Sequence, residues 1–311
     1  MAISASMVKE LREKTGAGMM DCKKALTNTD GDMDKAVEWL RENGLAKAEK
    51  KAGRIAAEGI VKTNISEDGK KAAIVEVNSE TDFVAKNEKF QDFVAAVADQ
   101  VNASSAADID AFLAEPWADD SSKTVKEELA SMVATIGENM NIRRFEKVTC
   151  DNGIVVDYIH AGGKIGVLIA AETDNTGAEV VECLKNVAMQ IAAMNPQYLS
   201  SDDVSDEYKE REKAVLLAQA KNDPKNANKP HNIIEKMIIG RLNKELKEVC
   251  LTEQVYVKAE NKETVAKYVE SVAKAVGCNL TLKSFVRFET GEGLEKKEED
   301  FAAEVAAQMG N

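Results

Sequence analysis

Residues 81–86 read Thr-Asp-Phe-Val-Ala-Lys, and here residue types and spacing best suit a chemical task. The task is recognition rather than bond making. Thr81 and Asp82 are of the types that cap helices by accepting backbone N–H bonds, and Phe83 follows them directly. Upstream, Ala72–Val77 has the composition of a strand. Downstream, a helix begins near Asn87 or a few residues before it, with Phe90, Phe93, Val94, Val97 and Val101 in one stripe. A ring in so tight a joint stands at the tip of a rigid element, where a partner meets it. The plainer readings are that Thr81 and Asp82 only cap the helix and that Phe83 only staples onto it.

Other chemistry lacks the spacing it needs. The two histidines, His160 and His231, lie far apart and outside any metal-ligand motif. No GxxxxGK phosphate loop, GxSxG elbow or HExxH pair occurs, and the many carboxylates single out no acid/base pair. The expectation is a protein that is not an enzyme and uses no cofactor and no metal. The five cysteines, at 22, 150, 183, 250 and 278, are odd in number and dispersed, which suits neither a disulfide framework nor a zinc knuckle. With no apolar run of membrane-span length and no apolar leader segment, a cytoplasmic location without membrane contact is expected.

The net charge is −13, from 41 basic and 54 acidic residues. That balance argues against broad, direct contact with nucleic acid, whose phosphates call for a basic face. Lys47, Lys50, Lys51 and Arg54 form one small basic run, read as a solvated helix end.

The elements that must position these residues read as α+β. Residues 1–55 form a three-helix unit. Met7, Val8 and Leu11 share one face behind a Ser4 or Ser6 cap, Gly16 and Gly18 break the pattern, a second helix runs from Met19 to about Leu26, and a third carries Ala36, Val37 and Leu40 and ends near Gly44. From there to Arg54 the chain reads as a helical or flexible linker. One of Met19 and Met20 is expected to fill that unit's core. Residues 56–140 are expected to form a first sheet-plus-helix half, with strands over Gly59–Ile65 and Ala72–Val77 around a turn at Glu67–Lys70. Residues 141–197 and 250–290 form a second half, including a strand over Leu251–Val257 and a helix over Thr264–Val276. Residues 198–249 form an inserted antiparallel helical hairpin around a polar turn, with Ile233, Met237, Ile238 and Leu242 on one face. Residues 291–311 end in a helix carrying Phe301, Val305 and Met309.

The two halves echo one another. Glu172-Thr173-Asp174 repeats Glu80-Thr81-Asp82, and Val187-Ala188-Met189-Gln190 repeats Val97-Ala98-Asp99-Gln100, yet the second half has Asn175-Thr176-Gly177 in place of Phe83-Val84-Ala85. On this alignment Thr-Asp is shared capping architecture, and Phe83 is what the first half adds.

Five stretches, in order along nearly the whole chain, resemble signatures of the translation elongation factor Ts family: Thr15–Leu26, Thr81–Lys86, Ile136–Arg144, Arg287–Lys296 and Asp300–Val305. The resemblance implies a guanine-nucleotide exchange factor for the elongation factor Tu GTPase. It implies a ubiquitin-associated-like (UBA-like) N-terminal domain, a core of two related halves, the inserted hairpin and a C-terminal helical module. It also implies that Thr81, Asp82, Phe83 and Val84 enter the GTPase's nucleotide domain and disturb its Mg2+ and phosphate site. Arg12, Met19 and Met20 are implied to touch the same domain. His160, in a stretch one residue longer than a common family form, is implied to touch another domain, though an ordinary structural histidine is the plainer reading. The hairpin is implied to support a homodimer. A protein-binding scaffold without exchange activity is the alternative.

Overall fold

The computed structural model describes residues 3–223, 226 and 229–295. The helix expected near 298–309 lies outside them.

The N-terminal unit is three helices, α1 (Ala5–Thr15), α2 (Met19–Asn28) and α3 (Met33–Lys51). Val8, Leu11, Cys22, Ala25, Leu26 and Ala36 form its core. Ser4 caps α1, its side chain accepting from Met7 N, and Asp32 caps α3 by accepting from Lys35 N. The third helix does not end at Gly44, as the glycine suggested, but runs on to Lys51. Gly44 is buried, facing the Ala130 carbonyl and the Ala134 methyl of a later helix. The small residue sits in the seam between the two helices rather than at a stop. The basic run on the extended α3 is not merely solvated: Lys47 pairs with Asp21 at 2.7 Å, Lys51 donates to the Gly137 carbonyl, and Arg54 lies 3.4 Å from Glu80.

The first sheet has the order β1-β2-β5, from Glu58–Ile65, Lys71–Ser79 and Met140–Thr149. Between its second and third strands come α4 (Asp82–Ala85), α5 (Glu88–Ala103), α6 (Ile109–Ala114), the short pair β3 (Pro116–Trp117) and β4 (Asp120–Thr124), and α7 (Val125–Ile136). The boundary expected at 140 is therefore displaced to about 150, because Ser79 to Lys71 pair with Met140 to Thr149. The second sheet, β6-β7-β8, comprises Gly153–His160, Ile165–Thr173 and Leu280–Glu289. Helix α8 (Ala178–Met194) follows β7, the hairpin helices are α9 (Asp206–Asn222) and α10 (His231–Val249), and α11 (Val265–Val276) precedes β8.

Both sheets are antiparallel, and their central strands, β2 and β7, are buried on both faces. Side chains alternate along a strand: in β2, Ala73, Val75 and Val77 pack with α5, while Ala72 and Ile74 pack against the second sheet. In β7, Val167, Ile169 and Ala171 pack with α8, while Leu168 and Ala170 meet the first sheet. The order of layers is helix, sheet, sheet, helix. The segment Leu251–Val257 is not the expected strand. It makes one 3₁₀ turn, Leu251–Glu253, and buries Leu251 and Tyr256 while exposing Val255 and Val257. Its N–H groups find scattered acceptors instead of a strand partner: Leu251 and Thr252 donate to the Tyr198 and Leu199 carbonyls, Glu253 and Gln254 to carbonyls of their own turn, Tyr256 to the Glu263 carbonyl and Val257 to the Gln190 side chain at 2.9 Å.

The register corrects the internal repeat. In β1–β2, Gly59 faces Asn78; in β6–β7, Gly153 faces Glu172. At both glycines a Cβ would collide with the opposing strand, at the Val77 and Ala171 carbonyls. Bulges follow at Glu76/Val77 and at Ala170/Ala171. Strand positions thus correspond at a shift of 94 residues, Ser79 with Thr173. Buried helix positions correspond at a shift of 90: Phe90, Phe93, Val94, Val97, Ala98 and Val101 with Val180, Cys183, Leu184, Val187, Ala188 and Ile191. The first half therefore holds four more residues between strand and helix, the length of α4. The echo between Glu80-Thr81-Asp82 and Glu172-Thr173-Asp174 is out of structural register, and Thr81-Asp82 is not shared capping architecture. Thr173 Oγ1 accepts from Asn175 N, and α8 is capped by Gly177 without a side chain.

Candidate partner-binding site

The four residues of α4 are a single helical turn between β2 and α5. Thr81 caps it, its Oγ1 accepting from Val84 N at 3.3 Å. Glu138 holds Thr81 in turn, accepting from its N–H at 3.0 Å and its hydroxyl at 2.7 Å. Asp82 pairs with Lys86 one turn on, at 2.7 Å. The Lys86 hydrogen bond, with the charges of Lys86 and Lys164, holds the Asp82 carboxyl below its ordinary value of 3.8, so it is an anion at neutral pH. Val84 and Ala85 turn inward and join the core beneath α5. Asn87 then caps α5, accepting from Lys89 N at 3.0 Å.

This arrangement leaves Phe83 outside. Its two neighbours downstream are buried, yet it is 81% exposed, more than any other large apolar side chain among the described residues. It does not staple onto its own helix. A helical turn of four residues cannot bury both faces, and the core takes Val84 and Ala85. The result is a bare aromatic ring on a capped, inwardly anchored tip beside a carboxylate.

Arg12, Met19 and Met20 lie in the N-terminal unit, at the end of α1 and the start of α2. The expectation that one methionine fills the core is corrected: Met19 is 51% and Met20 73% exposed. The buried face of α2 is Cys22, Ala25 and Leu26, one turn further along. Arg12 is exposed too and takes part in no ion pair among the described residues. No hydrogen bond or ion pair among those residues joins this group to the turn at 81–84. His160 closes β6, exposed, with Nδ1 3.0 Å from the Tyr158 hydroxyl. The turn it opens leads to Lys164, whose charge acts on Asp82 and which pairs with Glu58.

Sequence reasoning missed the residues beneath the tip. Glu138 and Asn139 belong to a stretch quoted above for its resemblance alone. Glu76 was passed over as an ordinary strand residue. It is fully buried and accepts from Arg143 at 3.0 and 3.2 Å, Arg144 at 2.6 Å, Asn78 at 3.0 Å and the Gly291 N–H at 2.8 Å. It joins the stretch around Arg143 and Arg144 to the stretch after β8.

Among the described residues no group of three His, Cys, Asp or Glu is placed to hold a metal ion. Burial pushes the Cys183 and Cys250 thiols up to about 11, and raises Cys22 and Cys150 as well, so none of these four is a reactive thiolate. A cleft of about 150 Å³ between the N-terminal unit and α7 is flanked by paired charges, Lys47 with Asp21 and Arg41 with Glu127. No helix among the described residues is long and apolar enough to cross a membrane.

The family model described as Elongation factor TS matches residues 80–292, more than half of the chain, and one described as Elongation factor Ts, mitochondrial, N-terminal matches residues 1–49. Elongation factor Ts of Clostridium novyi is 53% identical over 307 residues, 99% of each chain. That of Trichlorobacter lovleyi is 54% identical over 314 residues, covering 100% of this chain and 99% of the relative. That of Clostridium perfringens is 54% identical over 308 residues, again 99% of each.

Proposed function

The chain belongs to the elongation factor Ts family, and from that premise we propose that it binds the elongation factor Tu GTPase and promotes GDP release through the turn Thr81–Val84. Its place is in protein biosynthesis, at translation elongation, as a guanine-nucleotide exchange factor. It acts by binding, without forming a covalent bond. The observation that carries the mechanism is Phe83, exposed on a tip fastened from below.

The energetics suit the task. Burying a Phe side chain contributes about 1.5–3 kcal/mol. If that burial is realised only when the GTPase's Mg2+ and phosphate ligands are displaced, GDP affinity drops roughly 10- to 150-fold. By linkage, GDP weakens the factor's binding by the same ratio. The nucleotide-poor state is selected rather than forced. Asp82, anionic beside the ring, adds repulsion toward phosphate. Arg12, Met19 and Met20 supply a second contact from a UBA-like unit, residues 1–55. His160 supplies a contact with another domain of the partner. The hairpin helices expose Val215, Ile233 and Ile239, which favours self-association through this element.

The test is direct. Elongation factor Tu is loaded with labelled GDP and its release followed with and without this protein. Acceleration at saturating protein is the expected result; none would leave only a scaffold. Phe83→Ala and Asp82→Ala then test the turn, and parental rates in both would refute its role.

A further inference from the structure

We propose that Glu80 and Glu138 form a reciprocal clasp that positions the Thr81–Val84 turn for exchange, with Glu138 as the positioning residue. The proposal rests on the reading of that turn given above. Each carboxylate takes the backbone N–H of the residue that follows the other. Glu138 Oε2 accepts from Thr81 N at 3.0 Å, and Glu80 Oε1 accepts from Asn139 N at 2.5 Å. Two strand-adjacent corners, β2 into α4 and α7 into β5, are thereby locked by charge-assisted bonds across 57 and 59 residues of sequence.

The clasp reaches the tip through Thr81 Oγ1. A hydroxyl has one proton and two acceptor lone pairs. The proton goes to Glu138 Oε1 at 2.7 Å, and a lone pair accepts from Val84 N at 3.3 Å. Glu138 therefore selects the rotamer with which Thr81 caps α4, and Phe83 sits inside that capped turn. The support behind Glu138 is itself pinned. Gly137 ends α7 at φ 95°, Lys51 donates to its carbonyl, and the Asn139 side chain donates to the Arg54 carbonyl at 2.8 Å. Arg54 also lies 3.4 Å from Glu80. The loop that aims the turn is thus held by the end of α3 and the residues just beyond it, so the N-terminal unit and the Phe83 tip share one anchor.

The experiment uses the full chain with Glu138→Ala, the near-isosteric Glu138→Gln, Phe83→Ala and the double variant Glu138→Ala/Phe83→Ala. Amide hydrogen exchange is measured across the chain, and labelled GDP release from elongation factor Tu is measured at saturating protein. In Glu138→Ala the amides of Thr81, Val84 and Ala85, which the clasp and the cap engage, lose protection while those of α5 and α8 keep it. Release slows about tenfold, as expected for loss of a charge-assisted hydrogen bond. Glu138→Gln, which retains one acceptor oxygen but turns a donor toward Thr81, falls between Glu138→Ala and the parent. The double variant releases GDP no more slowly than Phe83→Ala, because the clasp acts through the ring. Unchanged protection at Thr81, Val84 and Ala85 overturns the proposal. So does a further loss in the double variant, or full release in Glu138→Ala where Phe83→Ala is slow. If Phe83→Ala itself releases at the parental rate while protection at Thr81, Val84 and Ala85 is still lost in Glu138→Ala, the reading of the ring as the exchange element has failed, and the exchange role of the clasp falls with it.

Discussion

Phe83 and Val84 are adjacent, yet one ring faces water and one side chain is buried. The difference separates function from stability. Phe83→Ala removes a side chain with almost no native packing, so unfolding free energy should stay within about 0.5 kcal/mol of the parent while accelerated GDP release is lost. Val84→Ala should do the reverse, costing about 1.5–3 kcal/mol from the core for two buried methyl groups and the cavity they leave, with release following only as the turn loosens. Chemical denaturation beside the release assay separates the two. Met19→Ala/Met20→Ala belongs to the same class: both side chains are exposed, so melting should hold steady while affinity for the GTPase, measured by calorimetry, weakens.

At the scale of elements, the seam between α3 and α7 turns on Gly44. A Cβ there would stand 3.9 Å from the Ala130 carbonyl oxygen and 3.9 Å from the Ala134 Cβ, ordinary contact rather than collision. Gly44→Ala should therefore raise the melting temperature slightly, by restoring up to about 1 kcal/mol of helix propensity. Gly44→Leu should lower it by overpacking the seam. Sequence reasoning read this glycine as a stop because a glycine within a helical pattern has the same local signature whether it ends a helix or admits a neighbour. The strands around the turn at Glu67–Lys70 and the stripe of α5 were legible because their periods of two and 3.6 residues are local. The repeat was legible only in outline. Letter matching aligned Thr81 with Thr173, whereas hydrogen-bond register aligns Ser79 with it, and only the register reveals α4 as four residues the first half adds. The TDFV tip was legible as a motif; the clasp beneath it was not.

Across the whole molecule, Glu76 ties the first sheet to the segment after β8. Burial alone would raise its pKa, but the Gly291 N–H, Asn78, Arg144 and Arg143 outweigh it and hold the carboxyl below its ordinary value of 4.5. The folded state thus binds fewer protons than the unfolded state in this range. The resulting stability is present above about pH 4.5 and is lost as the pH falls through the lower folded value. A melting series toward acid should steepen there, and Glu76→Gln should flatten that part of the curve. Glu76→Ala leaves Arg143 and Arg144 facing an empty site and should cost about 3–5 kcal/mol near neutral pH, measured by denaturation.

By itself the sequence determined the three-helix N-terminal unit, the first strand pair, the apolar stripe of α5 and the Thr81–Lys86 joint between strand and helix, though not that Phe83 faces out. Each is decided within a few residues by backbone sterics and side-chain periodicity. Tertiary structure alone decided that Met19 and Met20 both face outward, that β5 completes the first sheet, and that the two halves differ by one helical turn. It also decided that Glu138 holds Thr81 and that Glu76 gathers two arginines. Those outcomes rest on hydrogen bonds and packing between residues tens to hundreds of positions apart, Glu76 with Gly291 across 215, and such partners leave no mark on the local pattern of either residue.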